Sequence, residues 1–305
     1  MGNHGPMVFL LTLGAGMAVG GMVALLAIRW PSTPDPHVSG GTITKEVVRH
    51  PGLAGHLRHH FNPKTETGVA LIAATAVIGA AAVGVGVLLA MIRTKSGLQS
   101  VDVRLARFGA EHATAFSTDF LRHLSELGGT RGVILMALVA CAVECRRGQA
   151  RAVVMFLTLV VAGQFALSNG IKYLVERARP DFSRLTGFAG TSFPSGHSTA
   201  AAATLAAIAL VATRRRSSRV KTFGAALAAG TAAMVGATRV FLGVHWFTDV
   251  VAGLLLGWAW FAMCSIAFGG RLLIFGLPVA EAEAVADAVP SRAPAETAGG
   301  SPGPT

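Results

Sequence analysis

The chain has 305 residues, of which 52% are hydrophobic and only 13% charged, with a mean hydropathy of +0.57. Soluble domains carry about 25% charged residues, so a pair of soluble domains, a disordered chain and a collagen-like chain are all excluded for the bulk of the sequence. The formal net charge of +11 falls mainly between long apolar runs, which points to membrane topology and contact with anionic lipid headgroups rather than to nucleic acid.

A helix needs about 20 apolar residues to cross a bilayer core. Charge-free stretches of that kind lie at 7–28, 68–92, 152–171 and 250–270. Shorter ones near 132–143, 198–213 and 222–238 reach spanning length by borrowing flanking residues. The expectation is an all-α polytopic membrane bundle of seven helices, the third being the shortest. Continuous rather than alternating apolar runs exclude a β-barrel. No Lys or Arg stands in residues 1–6 and no small-residue cleavage site precedes Arg29-Trp30, so the first span reads as a retained helix.

Between the spans, 30–67 is a polar connector holding His37, His50, His56, His59 and His60. It lacks cysteine and has few carboxylates, which argues against a metal site. Within Ser100–Gly128, apolar Leu105, Phe108, Phe116, Phe120, Leu124 and Leu127 recur at helical spacing, as in an amphipathic helix lying on the outer membrane surface. Residues 271–305 comprise a short apolar end and an Ala/Pro/Gly/Glu-rich tail expected to be disordered. Cys141, Cys145 and Cys264 all sit in apolar stretches and read as buried thiols.

Sidedness follows from the connectors. Arg146, Arg147 and Arg151 lie between spans three and four; Arg214, Arg215, Arg216, Arg219 and Lys221 lie between spans five and six. The positive-inside rule puts both in the cytoplasm and the N-terminus outside.

Ionisable residues beside membrane spans are costly and mark functional sites. They gather here at Lys172–Asp181 after span four, Ser192–Ser198 before span five, and Thr238–Asp249 between spans six and seven. By the span count all three meet at one membrane face. Lys172, Arg179 and Arg239 supply three cations suited to a phosphate, the arginines able to bind it bidentately. Pro194-Ser195-Gly196 is a tight turn opening a helix, whose free amides bind anions, and Ser195 adds a hydroxyl. His245 and Asp249, four apart, share a face on a helix, where the carboxylate would fix the imidazole tautomer. His197 stands beside the same pocket, placed to donate a proton to a leaving group. Taken singly, each cluster has a structural reading: a headgroup anchor, a capped helix start, a zinc or polar pair. Their conjunction in this order on one face argues for chemistry.

Lys172-x6-Arg179-Pro180, then Pro194-Ser195-Gly196-His197, then Arg239-x5-His245-x3-Asp249 resembles the three-part signature of the type 2 phosphatidic acid phosphatase (PAP2) superfamily, in its integral-membrane lipid phosphatase branch. The resemblance covers about 68–270 as a six-helix core and leaves 1–29 as an additional N-terminal transmembrane helix. The third motif usually begins Ser-Arg and here reads Thr238-Arg239, which keeps the hydroxyl. The resemblance implies a metal-independent mechanism with no cofactor. His245 would attack phosphorus to give a phosphohistidine, oriented by Asp249, and His197 would protonate the leaving oxygen and then activate water. Lys172, Arg179, Arg239, Ser195 and Gly196 would hold the phosphoryl oxygens. A membrane lipid phosphate or diphosphate is the implied substrate: undecaprenyl diphosphate, phosphatidate and phosphatidylglycerophosphate are all handled by relatives. A phosphotransferase using the same His and Asp, and a lipid-phosphate binding protein without chemistry, are the alternatives. The second predicts loss of His197, His245 or Asp249, all of which are present. Soluble vanadium-dependent haloperoxidases share the motif but not these spans.

Overall fold

The computed structural model describes residues 5–29, 66–146, 150–182, 185–187 and 190–272. The histidine-rich connector and the C-terminal tail therefore lie outside the described residues. Nine helices and no strand occur among the described residues: α1 (Gly5–Arg29), α2 (Glu66–Thr94), α3 (Gln99–Glu111), α4 (Ala115–Glu126), α5 (Thr130–Cys145), α6 (Ala150–Val175), α7 (Gly196–Thr213), α8 (Ser218–Phe241) and α9 (Phe247–Leu272). Six of them are long and apolar enough to cross a membrane, or up to seven if α4 and α5, bent by 49° at their break, are counted as one span. Helices are the natural solution because a bilayer offers no water to hydrogen-bond exposed backbone.

The weakest predicted span corresponds to α5. It has 16 residues, about 24 Å at 1.5 Å per residue, and its Leu135, Leu138 and Val139 are exposed, as a lipid-facing side requires. The single amphipathic helix expected over Ser100–Gly128 is two helices instead. Thr114 caps α4 in a capping box: its hydroxyl accepts from the Ser117 amide at 3.2 Å, and Ser117 Oγ accepts from the Thr114 amide at 3.0 Å. That reciprocal pair satisfies amides a continuous helix would have bonded internally. Within this stretch Phe116 is exposed while Leu121 is fully buried. Of the three free thiols only Cys264 is fully buried; Cys141 is half-buried, and Cys145, the last residue of α5, is exposed.

The core is built from α7, α8 and α9, with α6 and α5 against α7. Small residues let the backbones approach closely. A Cβ at Gly253 of α9 would stand 2.6 Å from the Ser195 carbonyl oxygen, and one at Gly257 would stand 2.4 Å from that of Thr199. The same device seats α1 on α8: a Cβ at Gly20 would meet the Ala226 carbonyl oxygen at 2.8 Å, and one at Gly230 would meet that of Gly16 at 2.7 Å. At one end of the bundle lie the C-termini of α6 and α8, the N-termini of α7 and α9, and the short helices α3 and α4. At the other end, Glu144 of α5 forms a buried ion pair with Arg214.

Candidate active site

The three polar clusters predicted to share a face do come together. The Arg179 guanidinium from the α6–α7 segment places one nitrogen 3.1 Å from His245 Nε2. Lys172 Nζ lies 3.7 Å from where a Gly196 Cβ would be. His197 is within electrostatic reach of Arg239, His245, Lys172 and Arg179. Local sequence explains part of this assembly. Ser195 caps α7, its Oγ accepting from the Ser198 amide at 3.4 Å and the Ser198 hydroxyl at 2.9 Å. Both are accepted bonds, so the Ser195 proton remains available to donate. The first intrahelical bond runs from the Thr199 amide to the Ser195 carbonyl, which leaves the amides of Gly196 and His197 ahead of it at the positive end of the helix.

His245 differs from its expected setting. It lies in the turn before α9, after Gly243 with φ of +70°, rather than on the helix with Asp249. The turn still brings Nδ1 to 3.6 Å from Asp249 Oδ2, ion-pair range but longer than a hydrogen bond. With Nε2 beside an arginine, the neutral ring carries its proton on Nδ1, toward the carboxylate, and presents the Nε2 lone pair to the cationic pocket. Burial of the ring pushes the His245 pKa down to about 4; Asp249 opposes that shift, while Arg179 and Arg239 add to it. The imidazole is thus the neutral base at physiological pH.

The cations are not equivalent. Arg179 donates to the carbonyls of Gly190, Val244 and Thr191 at 2.9, 2.6 and 3.1 Å, so it is locked in place by backbone instead of being an open bidentate fork. Arg239, 5% exposed, donates to Ser125 Oγ at 2.7 Å, and its buried Nε has no partner among the described residues.

Asp249 is completely buried and fully engaged. Its Oδ1 pairs with Arg177 at 2.5 Å; its Oδ2 accepts from the Trp246 amide at 2.9 Å and from the Ser192 hydroxyl. Arg177 in turn pairs with Asp102 of α3 at 2.8 Å and donates to Thr248 Oγ1 at 2.7 Å, and its guanidinium lies 5.5 Å from the Trp246 ring centroid. Asp102 closes the circuit by accepting from the Thr248 amide at 2.9 Å and hydroxyl at 2.7 Å. Asp102, Arg177, Ser192, Thr248, Ser125 and Glu126 carried no assigned role in the sequence reading. Glu126 Oε2 and His197 Nε2 both border Gly129, at 3.3 and 3.5 Å from its would-be Cβ. A charged Asp facing inward on an otherwise amphipathic helix was the available signal for Asp102.

A bundle of membrane-crossing helices that collects two histidines, a buried aspartate and three cations at one end is a polytopic membrane protein with a cationic pocket suited to an anion. Comparison with known proteins refines that class. The family model of the PAP2 superfamily matches residues 152–272. A lipid A 1-phosphatase of Rhizobium johnstonii is 37% identical over 134 residues, 40% of this chain and 50% of that one. Phosphatidylglycerophosphatase B of Bacillus subtilis is 41% identical over 104 residues, 33% of this chain and 51% of that one. The chain thus spans about half the length of the curated relatives it matches. Among solved structures, a transmembrane PAP2 type phosphatidylglycerolphosphate phosphatase from Bacillus subtilis superposes with a TM-score of 0.60 at 28% identity, covering 65% of this chain and 98% of that one.

Proposed function

We propose that this chain is an integral-membrane phosphatase that hydrolyses a lipid phosphate or diphosphate through a phosphohistidine. The observation that carries the reading is the orientation of His245: buried, neutral, with Nδ1 toward Asp249 and Nε2 against Arg179. Attack by Nε2 on phosphorus forms the N–P bond as the P–O bond to the lipid breaks, and His197 gives its proton to the departing oxygen. His197 then takes a proton from water, whose oxygen displaces His245 and releases inorganic phosphate. Lys172, Arg179, Arg239, Ser195 and the Gly196 amide stabilise the charge on the equatorial oxygens, the main task in phosphoryl transfer. In this reading 68–270 is the phosphatase unit, and α1 is an added helix.

The membrane is that of a prokaryotic cell, with the site on the extracytoplasmic face and lipid arriving from the outer leaflet. Arg146, Arg151, Arg214, Arg215, Arg216, Arg219 and Lys221 at the opposite end favour that sidedness through the positive-inside rule, and they meet anionic headgroups there. The experiment is phosphate release by detergent-purified protein in EDTA, on undecaprenyl diphosphate, phosphatidate and phosphatidylglycerophosphate in parallel, with His245→Ala as the blank. Turnover by the parent and none by the variant is expected. Release that survives in His245→Ala would remove the nucleophile assignment, and stoichiometric transfer to an alcohol without free phosphate would replace hydrolase by phosphotransferase.

A further inference from the structure

A second cavity lies away from the active site, between α1, α2, α7, α8 and α9. It measures about 860 Å³, against about 270 Å³ for the pocket beside Arg177. Alanine is the commonest residue of its walls, with Ala73 and Ala74 of α2, Ala206 and Ala209 of α7 and Ala225 of α8, beside Trp258 and Phe261 of α9. Small side chains on four helices leave the space open, where α1 packs along α8 and α2 along α9. The hydroxyls of the wall spend their protons within their own helices: Thr213 donates to the Ala209 carbonyl at 2.7 Å and Ser265 to that of Phe261 at 2.8 Å. An apolar space of this size forfeits the dispersion contacts of its whole lining when nothing fills it, and protein interiors rarely tolerate that. In a bilayer the filler at hand is an acyl chain, and the volume falls within the range of ligand pockets.

The mouth decides which lipid. Arg214, Arg215, Arg216 and Lys221 border the cavity. Glu144, the carboxylate at this end among the described side chains, is buried and held by Arg214. Arg215, Arg216 and Lys221 are exposed, so this rim carries an uncompensated positive charge above an apolar slot. We propose that the cavity binds one anionic phospholipid from the leaflet opposite the active site, with acyl chain in the alanine-lined space and phosphate against Arg215, Arg216 and Lys221. Basic pockets between transmembrane helices recognise anionic headgroups in this way.

Native mass spectrometry of the detergent-solubilised full chain tests the site, with dioleoyl phosphatidylglycerol and dioleoyl phosphatidylcholine as probes. One phosphatidylglycerol per chain is expected, preferred over phosphatidylcholine by at least about tenfold. The triple variant Arg215→Gln, Arg216→Gln, Lys221→Gln should bring the two lipids to near parity, and Ala209→Leu should remove both adducts by filling the slot. Lys172→Gln, in the active site, should leave the adduct as it is. Equal binding of both lipids by the parent, or a preference that survives the triple variant, would overturn the proposal. So would an adduct lost in Lys172→Gln and kept in Ala209→Leu, since that lipid would be sitting in the active site.

Discussion

Asp102, on a short helix between two spans, forms a buried ion pair with Arg177 at 2.8 Å, and Arg177 carries that contact on to Asp249 at 2.5 Å. The carboxylate beside the candidate nucleophile is therefore positioned by a second carboxylate 147 residues earlier in the chain, through one guanidinium. Asp102→Asn keeps an acceptor for Thr248 but takes the charge from Arg177, which then pulls on Asp249 alone. The expected result is a fall in kcat of about 10- to 100-fold with little change in KM, because the interaction acts through Asp249 and not on the lipid. Thr248→Val should show a milder version, and Thr248→Ser should restore it. A folded Asp102→Asn protein with the parent's kcat would show that the pair serves folding alone.

The pH profile follows from the burial of His245. Only the neutral imidazole attacks, and its pKa is depressed to about 4 from the ordinary value of 6.5, so the attacking form prevails from neutral pH down to about 4 and is lost below it. The acid limb of the first chemical step should fall tenfold per pH unit below about pH 4, with no break near 6.5 that belongs to His245. Rapid-quench measurement of phosphoenzyme formation across pH 3–8 checks this; an acid limb near pH 6.5 in that step would contradict it.

Ser125 is the described partner of the Arg239 guanidinium, at 2.7 Å. Ser125→Ala removes one hydrogen bond to a buried charge, worth about 1.5–3 kcal/mol. Arg239 should then be held less firmly, and inhibition by orthovanadate, an analogue of the pentacoordinate phosphoryl group, should weaken by about tenfold or more. Inhibition curves for the parent and Ser125→Ala measured side by side decide the point.

The seating of α1 rests on close backbone approach. A leucine at Gly20 would have its Cβ 2.8 Å from a backbone carbonyl of α8, a contact that no rotamer relieves. Gly20→Leu should cost about 1–3 kcal/mol and lower the thermal midpoint in detergent, whereas the same change at Gly14, where a Cβ meets nothing within 4 Å, should leave it unchanged.

Much of this architecture was legible in the residues alone. The spans could be read because backbone groups in a bilayer must bond locally, so each helix is written in one continuous apolar run. The eight candidate site residues could be read because a cation, a helix start or a histidine at a span end is too costly to stand there idly. Boundaries were less visible where the cause was a side-chain bond: the capping box at Thr114 and Ser117 starts a second helix within what hydrophobic spacing alone reads as one.

What the sequence determined by itself is the all-helical membrane bundle and the gathering of three motifs at one end, since both follow from hydropathy and from the parity of crossings. What only the tertiary structure decided is how those motifs are held. Asp102 meets Arg177 and Thr248 across separations of 75 and 146 residues, Arg239 meets Ser125 across 114, and Arg179 is fixed by carbonyls of two different loops. Such bonds leave no periodic trace in the chain, because they exist only where packing brings distant helix ends into one dry pocket and buried polar groups must find partners there.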